Sequence, residues 1–245
     1  LYGAIANTNK KEIMAVSIDT VYQKVLALAN KEQRGYITPQ EFNLFADLAQ
    51  MEIFEQYFYD LNQLSRVHSN SKEYSDIVDN LNEKISFFEV INATVTAGTT
   101  LTPSAGTEIY RVGTVMCVLP SSTVEIEEVQ RNELLYINNS PLTKATETRP
   151  IYVRENENTV GIHPVSIITN PITFDYIKKP SKPNWGYIVA ETKAMYQPLY
   201  SNDFDLHLSE ETELVYKILK FAGLNIKRDD LAKGGQGLES MVKIK

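Results

Sequence analysis

The run GYITPQEFNLFADLAQMEIFEQYFYDL, from Gly35 to Leu61, constrains this chain more than any other segment. Thr38, Pro39 and Glu41 spell a helix start: a hydroxyl to cap the first turn, a proline where no N–H is needed, and a carboxylate spaced to reach back. Phe42, Phe45, Leu48, Ala49, Glu52, Ile53, Tyr57 and Leu61 then follow helical spacing. Phe54, Phe58 and Tyr59 widen the apolar surface beyond one stripe. A helix with more apolar surface than one core contact can cover needs neighbours, and part of this surface is expected to face another chain.

The same region resembles a calcium loop. Asn30 to Glu41 places glycine, isoleucine and glutamate at the sixth, eighth and twelfth positions of such a register. The first, third and fifth positions hold Asn30, Glu32 and Arg34. An arginine at a ligand position cancels much of the attraction a cation would feel, so the segment reads as the turn of a helical hairpin.

With 245 residues the chain can form one large core or two modest ones, and 43% apolar residues is ordinary for a folded protein. The net charge of −7 argues against a protein that coats nucleic acid, which needs clustered Lys and Arg. Cys117 is the single cysteine, in the apolar run TVMCVL; it reads as a buried thiol, with no internal disulfide available. No stretch has the roughly 20 apolar residues that cross a bilayer, and no signal-peptide layout opens the chain. A soluble protein made in the cytosol is expected, which leaves the sequons at Asn92 and Asn138 without weight. Residues 1–13 read as a loose terminus, with an ordered arm or an upstream start as alternatives.

Val16, Ile18, Val21, Val25 and Leu28 predict a first helix; Tyr74, Ile77, Val78, Leu81, Ile85 and Phe88 predict a third after the aromatic one. Short connections favour antiparallel packing. From Val90 the texture becomes threonine, valine, isoleucine and tyrosine broken by Gly, Pro and Asn, predicting strands at 91–95, 108–119, 150–154, 160–168, 172–177 and 185–189. VEIEEVQRNELLYIN, from Val124, has spacings compatible with a short helix carried on the sheet. A last helix opens at Ser209 with Glu210, Glu211 and Glu213 and runs through Leu214, Val215, Ile218, Leu219 and Ala222 to Gly223. The expected fold is α+β: an extension (1–15), an N-terminal antiparallel helical hairpin or bundle (16–90), a central β-rich domain, sandwich or barrel-like (91–205), and a C-terminal helix with an extended tail (206–245). In that tail Gly234, Gly235 and Gly237 precede an apolar tip of Met241, Val242 and Ile244, and positive residues outnumber negative ones.

No catalytic set emerges. His68, His163 and His207 lie far apart in contrasting contexts, and no metal-ligand spacing occurs. Neither glycine-rich phosphate fingerprint nor a nucleophile elbow is present. Carboxylates are abundant, so a glycosidase-like pair stays open, although exposed helix glutamates account for most of them. No cofactor, metal ligand or catalytic residue is therefore expected. Two segments suggest contacts instead. In ITFDYIKKPSKPNWGYIV, Tyr176, Lys178, Lys179, Lys182 and Trp185 could form a docking edge or stack on a base. The competing reading has Pro180 and Pro183 stiffening a connection and Trp185 closing the core.

TPQEFNLFADLAQMEIFEQYFYDLN, SPLTKATETRPIYV, ITFDYIKKPSKPNWGY and SEETELVYKILKFAGLNIK together resemble a family of tailed-bacteriophage virion structural proteins. The similarity spans most of Val16 to Lys227 and is nearest to head-to-tail connector proteins (neck, ring or adaptor) of marine and crAss-like short-tailed phages. The resemblance implies a non-enzymatic virion protein, made in the bacterial host cytoplasm, forming a homo-oligomeric ring that is twelve-fold in similar connectors. It implies portal, neck and tail proteins as partners, DNA passing without specific binding during genome ejection, and no membrane. It supplies no active-site residues. The expected contact residues are Phe54, Phe58, Tyr59, Tyr176, Lys178, Lys179, Lys182, Trp185, Met241, Val242 and Ile244. Other virion roles, such as a tail or capsid accessory protein, are the alternatives, with a carbohydrate-active enzyme or a cellular interaction module behind them.

Overall fold

The computed structural model describes residues 15–30, 37–66, 72–120, 122–191 and 193–225. Half of the calcium-like register, residues 31–36, falls outside them, as do His68, residues 1–14 and the tail from 226. The chain forms two compact units of an α+β fold, one from the chain up to Phe87 and from Pro180 onward, the other Phe88–Lys179.

The first unit holds β1 (Ala15–Val16), α1 (Ile18–Asn30), α2 (Pro39–Arg66) and α3 (Lys72–Ser86). The aromatic run folds as read. Thr38 and Glu41 make a reciprocal capping box, with Glu41 N–H donating to Thr38 Oγ1 at 3.3 Å and Thr38 N–H to Glu41 Oε2 at 3.0 Å. Phe42, Ala46, Ala49, Ile53 and Tyr57 form the buried stripe of α2. Phe42 packs edge-on against Tyr22 of α1, ring centroids 4.8 Å apart.

The second unit is a seven-stranded mixed sheet in the order β3-β2-β8-β4-β5-β6-β7. Its strands are β2 (Glu89–Thr96), β3 (Thr100–Leu101), β4 (Ile109–Val118), β5 (Thr123–Glu128), β6 (Ile151–Arg154), β7 (Val160–His163) and β8 (Ile172–Lys178). The two ends nearly meet: Leu101 N–H donates to Asn158 C=O and Val160 N–H to Thr99 C=O, each 2.8 Å. Such near-closure leaves little unpaired edge. Period-2 alternation places Ile172, Phe174 and Tyr176 of β8 in the interior with Cys117, Ile126 and Ile162. The turn between β2 and β3 needs Gly98, whose φ is +68° and where a Cβ would lie 1.9 Å from Ile168 Cγ2.

VEIEEVQRNELLYIN divides. Its first half is β5, and only Leu134–Asn139, α4, is helical. Alternation of Val124 and Ile126 with exposed Glu125 and Glu127 gave β5 its strand period, which the apolar spacing farther along the run obscured. Because β5 and β6 pair in parallel, a crossover must join them, and α4 belongs to it. The strand expected over 160–168 stops at His163, where the chain turns into a 3₁₀ segment, Val165–Thr169.

The chain re-enters the first unit at Pro180, so the β-rich unit ends there and not at residue 205. The physical reason is a set of hydrogen bonds. Gln50, fully buried on α2, donates from Nε2 to Ser181 C=O at 2.8 Å and accepts from Asp205 N–H at 3.0 Å. Asn43 accepts from Trp185 N–H at 2.8 Å. These polar residues of α2 are invisible to an apolar-periodicity argument. The hairpin β9 (Tyr187–Ala190) and β10 (Lys193–Tyr196) follows, then β11 (Phe204–His207), which pairs with β1.

A 3₁₀ turn, Leu208–Glu210, leads into α5 (Glu211–Asn225), which packs against α1 and α2. Leu214, Val215, Ile218, Leu219 and Ala222 are buried as their spacing implies. Lys217 is fully buried on this face. Its Nζ lies 2.7 Å from Glu52 and 3.7 Å from Glu213, so the charge taken out of water is compensated.

Candidate interaction surfaces

The expected contact residues separate into three groups. Phe54, Tyr176 and Trp185 are interior residues, 0%, 1% and 3% exposed, which corrects their assignment to a docking face. Phe54 lies on the inner side of α2, edge-on to Phe58, because the helical period carries position 54 beside 50 and 57. Tyr176 stacks on Phe174 with centroids 5.3 Å apart, and its hydroxyl accepts from Ser104 N–H at 2.9 Å. Burial pushes its ionisation up, but hydrogen bonds from Thr107 and Ser104, with Lys178 nearby, outweigh that and leave it lowered. Trp185 contacts Tyr22 at 4.3 Å and donates from Nε1 to Asp19 Oδ1 at 3.0 Å. It closes the core of the helical unit.

The lysines belong to different units. Lys178 and Lys179 end the barrel-like unit, where Lys179 pairs with Glu108 at 3.0 Å. Lys182 lies in the helical unit, 3.7 Å from Asp47. The docking edge read from sequence is thus two short stretches whose aromatic members point inward. Tyr59 remains, 59% exposed, with Phe58 half-buried beside it. Met241, Val242 and Ile244 lie outside the described residues.

Other apolar residues are exposed in their place, and they cluster. On α2, Leu44 and Leu48 are 60% and 56% exposed, on consecutive turns. Eleven residues after Leu48, close to three full turns, Tyr59 continues their line. α2 therefore carries a second apolar stripe roughly opposite the buried one, interrupted by Glu55. In the helical unit Ile188, Val189 and Met195 of the β9–β10 hairpin and Leu199 and Tyr200 just after it are exposed. Gly186 permits this turn: a Cβ there would lie 2.5 Å from the Tyr200 carbonyl carbon. In the barrel-like unit, the crossover carrying α4 exposes Leu135, Tyr136 and Leu142. Sequence reasoning counted Leu48 toward the buried face and passed over the last two clusters. The charge-free YIVA of β9 and the apolar LLYI of α4 were the available signals.

Several titratable groups are engaged in local contacts. A shallow depression in the barrel-like unit, lined by Glu128, Val129, Arg131 and Arg154, contains one carboxylate, and Glu128 accepts from the Tyr152 hydroxyl at 3.2 Å. Burial, and then the Glu128 charge, hold the Tyr152 phenol protonated well above its usual range. Cys117 is buried and its thiol is pushed up by burial. His207 Nδ1 accepts from Ser209 N–H at 3.3 Å, a capping contact on the 3₁₀ turn that leads into α5. Among the described residues no group of three or more His, Cys, Asp or Glu could hold a metal, and no helix is long and apolar enough to cross a membrane.

No protein-family model matches the sequence, and no curated protein is similar to it.

Proposed function

We propose that this protein is a structural subunit that assembles with copies of itself into a ring, as part of the head-to-tail connector of a tailed-phage virion. The observation that carries the reading is the second stripe of α2, Leu44, Leu48 and Tyr59, each more than half exposed on a helix whose opposite face is fully packed. Apolar side chains aligned over four turns cost solubility in a monomer, and covering them is worth about 25 cal/mol per Å². The crossover cluster Leu135–Tyr136–Leu142 supplies a second, chemically different surface. A ring requires such a pair, because head-to-tail contacts join unlike patches and close by rotation. The resemblance of four segments to connector proteins is what favours a position between portal and tail in this reading.

The test is the mass of the purified full chain, alone and with its cognate portal, by mass photometry and negative-stain imaging. Closed rings are expected, and Leu44→Asp with Leu48→Asp should return the protein to monomers with an unchanged circular-dichroism spectrum. A chain that stays monomeric at high concentration and with portal present would overturn the proposal.

A further inference from the structure

The β9–β10 hairpin has one edge whose chemistry specifies its occupant. β9 pairs with β10 and, among the described residues, with no strand on its other side. Gln197 N–H donates to Gly186 C=O at 2.9 Å, and residue 187 is opposite 196, 188 opposite 195. Antiparallel pairs alternate between bonded and non-bonded. Ile188 and Ala190 therefore turn their backbone groups toward β10, and Tyr187 and Val189 turn theirs outward. The edge Tyr187–Ala190 has no charge and no proline, the devices that ordinarily blunt an open strand. Ile188, Val189 and Met195 are 50%, 63% and 59% exposed, so both faces of the hairpin expose apolar side chains. Tyr187 and Tyr196 anchor the hairpin by stacking on Trp185, which leaves the outer edge of β9 as the position where a third strand would pair.

The sequence supplies that strand. Residues 239–245, ESMVKIK, alternate Val242 and Ile244 with Lys243 and Lys245, the period of an amphipathic strand. The segment from 226 onward has five Lys and Arg against three Asp and Glu, within a chain of net charge −7. Its sign is complementary to the remainder of the chain. Thirteen residues, 226–238, with three glycines, separate it from the end of α5 at Asn225. Such a linker spans about 45 Å extended and roughly 20 Å as a coil. A unit of this size has a radius of gyration of about 15 Å, so a linker of this length is long enough to span to an adjacent copy.

We infer that residues 239–245 of one copy add as a strand to the outer edge of β9 in the next copy. The inference rests on the self-association proposed above and deepens it. Backbone hydrogen bonds would supply the adhesion, and contact with the exposed Ile188 and Val189 side chains the register. Because donor segment and acceptor edge differ, the contact is heterologous, as ring closure requires.

The experiment mixes two full-length chains, one carrying Val189→Cys and the other Val242→Cys, with buried Cys117 left in place, under mild oxidation. Disulfides joining position 189 of one chain to 242 of the other are expected, read by peptide mass spectrometry. Val242→Pro, in a segment beyond the described fold, should raise the concentration needed for assembly tenfold or more at an unchanged melting temperature. Val189→Pro, which removes an outward N–H only, should do the same. Rings that form normally without the 189–242 disulfide would overturn this inference and leave the proposed function standing. So would a predominant 189–189 disulfide, which would make the edge a self-pairing one. A doubly substituted chain that links only within itself would overturn the exchange between copies. Absence of any assembly by the unmodified chain would overturn both.

Discussion

Replacing Trp185 is the sharpest probe of the claim that the segment after Pro180 belongs to the helical unit. The indole is 3% exposed, stands 4.3 Å from the Tyr22 ring and 5.8 Å from those of Tyr187 and Tyr196, and donates to Asp19. A tryptophan buries about 200 Å², which at about 25 cal/mol per Å² sets an upper transfer value near 5 kcal/mol. Trp185→Ala should accordingly destabilise the helical unit by about 3–5 kcal/mol, the range for losing a large buried aromatic. Trp185→Phe keeps most of the ring and loses the hydrogen bond to a carboxylate. Asp19 is half-buried and can take up water, so the cost should be near the low end for such bonds, about 2 kcal/mol. The assay is urea unfolding of the full chain. Trp185 is the only tryptophan, so its fluorescence in the unsubstituted protein reports the helical unit, and its transition should coincide with loss of the helical circular-dichroism signal. The substituted chains are followed by circular dichroism alone. A cost below about 1 kcal/mol for Trp185→Ala, judged against the burial range above, would refute the reasoning, as would fluorescence that tracks a separate β-sheet transition.

Thr38→Ala removes one arm of the capping box and should cost about 1 kcal/mol in the same urea assay, with Thr38→Ser restoring most of it. Tyr152 is held protonated in the folded state above the unfolded phenol's value of about 10, so folding retains a proton that unfolding releases at high pH. Its contribution to stability is present below pH about 10 and lost as pH rises beyond it. Tyr152→Phe should flatten that alkaline decline in chemical-denaturation curves. Cys117, buried with its thiol pushed up, should alkylate orders of magnitude more slowly in the native chain than in urea; rapid native labelling would place it at the surface.

Local signals read accurately where the sequence and its near neighbours decide the outcome. The Thr38–Glu41 box and the strand over 172–177 depend on signals within a few residues, and each is found as read; Val16, read as helical, instead pairs in β1, and the last helix begins at Glu211, after a 3₁₀ turn, and not at Ser209. The docking edge failed because periodicity tells which residues share a face without telling which face is covered. Leu48 follows the same apolar rhythm as Ala49 and Ile53, yet it is exposed and they are buried. Trp185 follows the competing reading and closes the core, and Tyr176, although lysines follow it in sequence, is turned inward by the strand period.

The amino-acid sequence alone determined the α+β class, the long aromatic helix with its cap, the strand-rich middle and the buried single cysteine, because each follows from propensity and period over short spans. Tertiary structure decided where the chain returns to the helical unit, that seven strands nearly close on themselves, and which apolar residues stay in water. Those outcomes depend on pairings between distant residues, such as Gln50 with Ser181 and Asp205 or Leu101 with Asn158. In each of these bonds at least one partner is a backbone group, which has no residue preference to announce it, so the pairing becomes known only when the fold brings the two together.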